Sequence, residues 1–199
     1  TMEKPAAGAS TGGSYSLEIT LYGQAQAEES IALGTPVAGD VAVTENGRIV
    51  GVTGTEGGTV TCWDTNGEMQ WEATVENALS PPVVNRYGMT YVSTVDGLLY
   101  AIDESGDRRW TYDAGNACTG PPAVDGNGVI YIPADGSVHA VGPGGDPLWT
   151  YTAENVRFTA PAVSVDSTIY CGGNDGGIYA VTSDGIPSWR YEASGSIAT

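Results

Sequence analysis

Short runs of alternating apolar and polar residues, each closed by a turn rich in Gly, Asn and Asp, follow one another along most of this chain. That is the pattern of half-buried β-strands joined by hairpins. Residues 98–110, LLYAIDESGDRRW, show it most fully. Close copies stand at 59–71 (TVTCWDTNGEMQW), 137–149 (SVHAVGPGGDPLW) and 177–189 (GIYAVTSDGIPSW). The closing tryptophans, Trp71, Trp110, Trp149 and Trp189, lie 39, 39 and 40 residues apart, a period characteristic of repeat architectures.

Each copy carries four runs. The first follows a proline, at 36–43, 82–84, 122–124 and 161–165, and the second follows a turn, at 48–53, 89–94, 129–132 and 168–171. The third is reached through Gly57-Gly58, Asp96-Gly97, Asp135-Gly136 or Asp175-Gly176. The fourth, with the tryptophan, is reached through Asn66-Gly67, Ser105-Gly106, Gly144-Gly145 or Asp184-Gly185. These dipeptides supply the positive φ angles that tight hairpins need. Four hairpin-linked strands repeated at this period predict an all-β fold, a β-propeller of four four-stranded antiparallel blades at about 36–75, 76–115, 116–154 and 155–193.

Two segments precede the blades. Residues 1–14 (TMEKPAAGASTGGS) are rich in Gly, Ala, Ser and Thr without apolar periodicity and read as an N-terminal arm. Within 15–35, the run YSLEITLY places Tyr15, Leu17, Ile19 and Leu21 on one side and Ser16, Glu18 and Thr20 on the other. It predicts an extra half-buried strand, with a short second one at 31–33.

The order small residue, acidic or turn residue, glycine and tryptophan resembles the PQQ-like repeat family of β-propellers, which includes the quinoprotein dehydrogenases and the BamB-type outer-membrane assembly factors. Blade two has Ala101, Asp103, Gly106 and Trp110. Blade one puts Cys62 in the alanine slot and keeps Asp64, Gly67 and Trp71. Blade three has Ala140, Gly145 and Trp149, with Gly142 at the acidic position; blade four has Ala180, Gly185 and Trp189, with Thr182 there. The resemblance implies that each tryptophan docks between adjacent blades and has no catalytic role. It also implies a ring of about six to eight blades, whereas four are present. Residues 194–199 stop where a further blade's first strand would begin. Four blades either close a small ring or leave an arc that other chains complete, its edges covered in cis or by strand addition through the arm or the 15–22 strand.

Charge narrows the function. The 24 acidic residues stand against 7 basic ones, for a net charge of −17, so nucleic acid is excluded as a partner for want of a basic footprint. Such a charge repels itself unless counterions screen it. With Lys4 as the only lysine and Phe158 as the only phenylalanine, the composition resembles proteins of salt-loving archaea, although an acidic secreted protein has a similar balance. No apolar run approaches the ~18 residues of a spanning helix. The N-terminus shows no signal-peptide pattern, although a start at Thr1 is also what removal of a leader would leave, and an extracellular or cell-surface location is an inference.

The candidate chemistry is sparse. The resemblance implies a vicinal cysteine pair in the cofactor-binding dehydrogenases, but Cys62, Cys118 and Cys171 are scattered; Cys118 and Cys171 lie in adjoining blades and could meet. His139, the only histidine, fills the slot of Tyr100 and Tyr179 and reads as a packed ring, since no nucleophile motif accompanies it. The loops 64–68 and 125–128 resemble calcium loops but lack the glutamate at the twelfth position, so turn chemistry explains them. No catalytic residue, cofactor or metal site is expected, beyond weak cations on the acidic surface. The expected function is a non-enzymatic extracellular or cell-surface structural or interaction protein that binds copies of itself and forms a polymer through its arm or extra strand. The alternative is a monomeric ligand- or peptide-binding propeller of BamB type, with contacts at Asn116, Asn155 and Arg157. A PQQ-dependent dehydrogenase is a third reading, which the missing cysteine pair opposes.

Overall fold

The computed structural model describes residues 37–53, 58–78 and 81–192. The arm at 1–14, the strands expected within 15–35 (with Tyr15, Leu17, Ile19 and Leu21) and the segment 193–199 lie outside the described residues. No helix is present among those described.

Blade one consists of β1 (Val37–Val43), β2 (Ile49–Thr53), β3 (Thr59–Trp63) and β4 (Met69–Thr74). Blade two has β5 (Val83–Val84), β6 (Thr90–Ser93), β7 (Leu98–Ile102) and β8 (Arg108–Asp113). Blade three has β9 (Ala123–Val124), β10 (Ile130–Val141) and β11 (Pro147–Arg157), and blade four has β12 (Ala162–Val163), β13 (Ile169–Gly172), β14 (Gly177–Val181) and β15 (Pro187–Glu192). Each sheet is antiparallel and follows chain order. In blade three the second and third runs are continuous as β10, which passes through Gly136 at φ +79°. Ser164 and Val165, expected in the last blade's first strand, belong instead to the following turn: the Ser164 hydroxyl accepts the Thr168 amide.

One turn design recurs. The residue that opens it uses a side-chain oxygen to accept two backbone amides. Asp64 takes those of Asn66 and Glu68, Asn85 those of Tyr87 and Met89, Asp103 those of Ser105 and Asp107, and Asp125 those of Asn127 and Val129, all at 2.8–3.0 Å. Short polar side chains make this local bond readily, which is why Asp and Asn open these turns. In every blade the last hairpin carries a register shift after the small residue, between Cys62 and Trp63, Ala101 and Ile102, Ala140 and Val141, and Ala180 and Val181.

The inner strands are buried and the outer strands β4, β8, β11 and β15 largely exposed. The core is divided into clusters, each shared by two neighbouring blades. Val50, Val60 and Trp71 pack with Val92 and Ile102; Leu99 and Ala101 with Ile130 and Val141; Val138 and Ala140 with Ile169 and Val181.

The blades meet at the tryptophans. A Cβ added to Gly106 would lie 2.9 Å from Trp71, one on Gly145 2.9 Å from Trp110, and one on Gly185 2.7 Å from Trp149. The next blade's glycine therefore lies flat on each indole, at φ +89°, +92° and +79°. The indole N–H of Trp110 also donates to the Pro143 carbonyl at 3.0 Å, and that of Trp149 to Ser183 at 2.7 Å. On its other face the ring rests on a tyrosine of its own blade: Tyr91 under Trp110 and Tyr131 under Trp149, with centroids 5.9 Å apart.

Gly145→Ala combines a left-handed backbone with a collision against Trp110, and unfolding in denaturant at fixed salt should show a loss of roughly 2–4 kcal/mol. Gly126→Ala, in open space and without a positive φ, should stay within about 0.5 kcal/mol of the parent.

Candidate interaction face

Blade four repeats the joint, with no described residue covering its outer face. Trp189 rests on Tyr170 with ring centroids 5.8 Å apart, the same arrangement as in the two preceding blades. Among the described residues its outer face meets no glycine turn and its N–H has no acceptor, and it is 49% exposed. Two residues on in the outer strand, Tyr112 reaches His139 of the next blade and Tyr151 reaches Tyr179. Tyr191 occupies that position in blade four and is 61% exposed. Ile186, at the turn before β15, is also exposed. Arg190, on the opposite face of β15, stacks over the Tyr179 ring at 5.3 Å and pairs with Asp175 at 2.9 Å and Glu192 at 2.6 Å. The phenol of Tyr179 donates to Asp175 at 2.5 Å, and that bond, aided by Arg190, holds the carboxyl below the ordinary range.

An aromatic pair whose outer ring faces and indole N–H have no partner among the described residues can do what its counterparts do: accept a flat glycine turn and a carbonyl oxygen. At the other end of the repeat, the blade-one turn holds Gly67 at φ +80° and an exposed Thr65. These positions match Gly106 and the carbonyl-bearing Glu104 of blade two.

The remaining sequence-selected residues fall inside the blades. Ala101, Ala140 and Ala180 are buried, each opposite the tryptophan of its own hairpin. Asn116, Asn155 and Arg157 are exposed at corresponding corners of adjoining blades. Cys118 and Cys171 do not meet. All three cysteines are free and buried, in three different clusters, with desolvation raising Cys62 and pushing Cys118 to about 11 and Cys171 to about 12. The carboxylates of Asp64 and Asp125 are occupied with turn amides, and Asp125 also accepts the Tyr131 and Ser167 hydroxyls. Sequence reading passed over Tyr170 and Tyr191, although Tyr91, Tyr131 and Tyr170 recur with the period of the tryptophans and Tyr112, Tyr151 and Tyr191 do likewise.

His139 is 7% exposed. Its Nδ1 lies 3.0 Å from the Tyr112 hydroxyl and 3.2 Å from that of Thr150, and its Nε2 lies 2.8 Å from Ser137. Burial lowers its pKa below the ordinary 6.5.

A family model described as outer membrane protein assembly factor BamB matches residues 20–131 and 114–199. No curated protein matches. Among solved structures, the chain is similar to BamB from Moraxella catarrhalis, at 21% identity and a TM-score of 0.65 over 77% of this chain and 47% of that one. It is also similar to a protein of unknown function from Bacteroides caccae, at 12% identity and a TM-score of 0.58 over 77% of this chain and 60% of that one. A third similarity is to the computationally designed Ika8 protein, at 19% identity and a TM-score of 0.67 over 78% and 49%. The chain spans less than two thirds of the length of each.

The unfolded chain takes up a proton near pH 6.5 that folded His139 refuses. Stability should therefore be insensitive to this group above about pH 7.5 and fall as the pH drops through 6.5, at no more than about 1.4 kcal/mol per pH unit. Denaturant midpoints from pH 7.5 to 5.5 should show that slope in the parent and its loss in His139→Gln.

Proposed function

The chain belongs to the family of the BamB-type outer membrane protein assembly factors, built from PQQ-like propeller repeats, and from that premise we propose that it is a non-enzymatic interaction module that assembles with copies of itself at a cell surface. The observation that carries this reading is the exposed Trp189 and Tyr191 pair. Both occupy positions that in the preceding blades are covered by the next blade. The occupant that fits is a glycine turn of the same repeat, and blade one offers Gly67 and Thr65 in that register. The contact is heterologous and head-to-tail, so it closes into a ring if the rotation allows and extends into a filament if it does not. The segments 1–14 and 15–22, expected from the sequence as an arm and a strand, are further links between copies in this reading.

The assignment as non-enzymatic is supported by how the reactive groups are used. His139 is held by three neutral hydroxyl groups, and the thiols are buried with raised pKa values. The net charge of −17 supports work in concentrated salt, where a short Debye length permits like-charged copies to approach. The family description, an outer-membrane assembly factor, supports a place outside the cytoplasm.

Light scattering on the full-length protein in multimolar salt should give a native mass that is a multiple of the chain and grows with protein concentration. Trp189→Ser with Tyr191→Ser should reduce it to the monomer with the fold intact by circular dichroism, and deletion of residues 1–22 should weaken assembly as well. A parent protein that stays monomeric at millimolar concentration would sink the proposal.

A further inference from the structure

The blades are copies of one another, so each serves as a control for the others, and their departures from the common pattern converge on one place. Under the tryptophan, blades two to four hold Tyr91, Tyr131 and Tyr170, but blade one holds Val50. The smaller side chain leaves space. Four positions past the opening of the first turn stand Met89, Val129 and Thr168, none of them charged; blade one has Arg48. The next position is Ile49, Ile130 and Ile169 in three blades and Thr90 in blade two. Val50, Arg48 and Thr90 all line a single cavity of about 230 Å³ between blades one and two, closed on one side by Trp71.

The hydrogen bonding departs with them. By the pattern of Trp110 and Trp149, the Trp71 N–H should donate to the carbonyl of Glu104. That carbonyl instead accepts from Arg48 Nη1 at 3.3 Å. Trp71 Nε1 and Thr90 Oγ1 are left as the two buried side-chain polar atoms without a partner among the described residues, and both residues face this cavity. Trp71 is 9% exposed and Thr90 is fully buried. Unpaired buried groups are disfavoured, and two in one hollow mark a position that another molecule completes.

The donors outnumber the acceptors. An indole N–H and the guanidinium groups of Arg48 and Arg86 can only donate, and the threonine hydroxyl can do so. Arg48 and Arg86 line the cavity without an ion pair to any carboxylate among the described residues, although the chain carries 24 acidic residues. The wall formed by Val50 and Trp71 is apolar. Glu45 and Glu104, exposed among the lining residues, disfavour multiply charged anions.

We propose that this cavity binds a monocarboxylate with a small apolar body, its carboxylate held by Arg48 and its body against Val50 and Trp71. Drawing Arg48 onto the ligand releases the Glu104 carbonyl to the Trp71 N–H, so binding restores at the joint between blades one and two the hydrogen bond that Trp110 and Trp149 make at theirs. The carboxylate belongs either to a free short-chain organic acid or to the C-terminus of a peptide. The site lies away from the Trp189 face and does not depend on self-association.

The test uses full-length protein labelled with 5-fluorotryptophan in high salt, read by fluorine NMR, with the Trp71 resonance assigned through Trp71→Phe. Isovalerate should move that resonance saturably while leaving Trp149 and Trp189 in place, and its neutral isostere isovaleramide should not. Acetyl-Ala-Val with a free terminus, compared with its amide, reports whether a chain end is accepted: a response to the acid form identifies a peptide terminus as a ligand, and a response to isovalerate alone identifies a free acid. Arg48→Met with Thr90→Ile installs side chains that the repeat already uses at these positions. It should keep or raise the melting temperature and weaken binding by at least about tenfold. No movement of the Trp71 resonance with either acid, equal binding of the amides, or undiminished binding by the folded double variant would each overturn the proposal.

Discussion

The contact on which the molecule depends is the indole held between two blades, with a tyrosine of its own sheet on one face and the bare backbone of the next blade's glycine on the other. It joins a large apolar area to a directional hydrogen bond, as in Trp110 to Pro143 and Trp149 to Ser183. A β-sheet of four strands cannot bury both faces alone, and each core cluster draws residues from two blades. The tryptophan sets the distance and angle at which those faces meet. Stability is accordingly carried by nearest-neighbour interfaces, as in other repeat proteins.

The same constraint explains what was legible in the sequence. Trp71, Trp110, Trp149 and Trp189 with their glycine turns located the blades, because turn chemistry is local and the period is regular. The smaller first strands were also visible, although the short reach of β12 was not, since Val165 is apolar yet belongs to a turn clamped by Ser164. The continuity of β10 had no sequence mark, because Asp135-Gly136 looks like the turn of its neighbours. Of the interaction face, Trp189 was visible as a repeat residue, but its exposure depends on what lies beyond its ring. The cavity was hidden for a different reason: Val50, Arg48 and Thr90 are unremarkable alone, and their meaning appears only when Glu104 is seen to stand over Trp71 from the next blade. The extra strand expected at 15–22 lies outside the described residues.

Charge plays little part in holding the blades together. The three ion pairs among the described residues, of Arg109 with Asp103 and of Arg190 with Asp175 and Glu192, each have an exposed guanidinium and contribute little. Acidic side chains open several turns, where Asp64, Asp103 and Asp125 use one oxygen on backbone amides and the other on nearby side chains: Gln70, Arg109, and the Tyr131 and Ser167 hydroxyls respectively. The core clusters contain no acidic residue. An acidic exterior is thus laid over an interior that would pack equally well under a neutral one.

The self-clamping turns also bear on the order in which the chain acquires its shape. Each clamp closes over four residues or fewer, so the loss of chain entropy on forming a hairpin is small and is offset at once by bonds within the turn. Hairpins of this kind form in about 1–10 μs, well before a tryptophan finds its glycine more than thirty residues along the chain. Docking of a formed sheet against a neighbour then buries the cluster the two share, and in such an array folding can start at any blade and spread to the next.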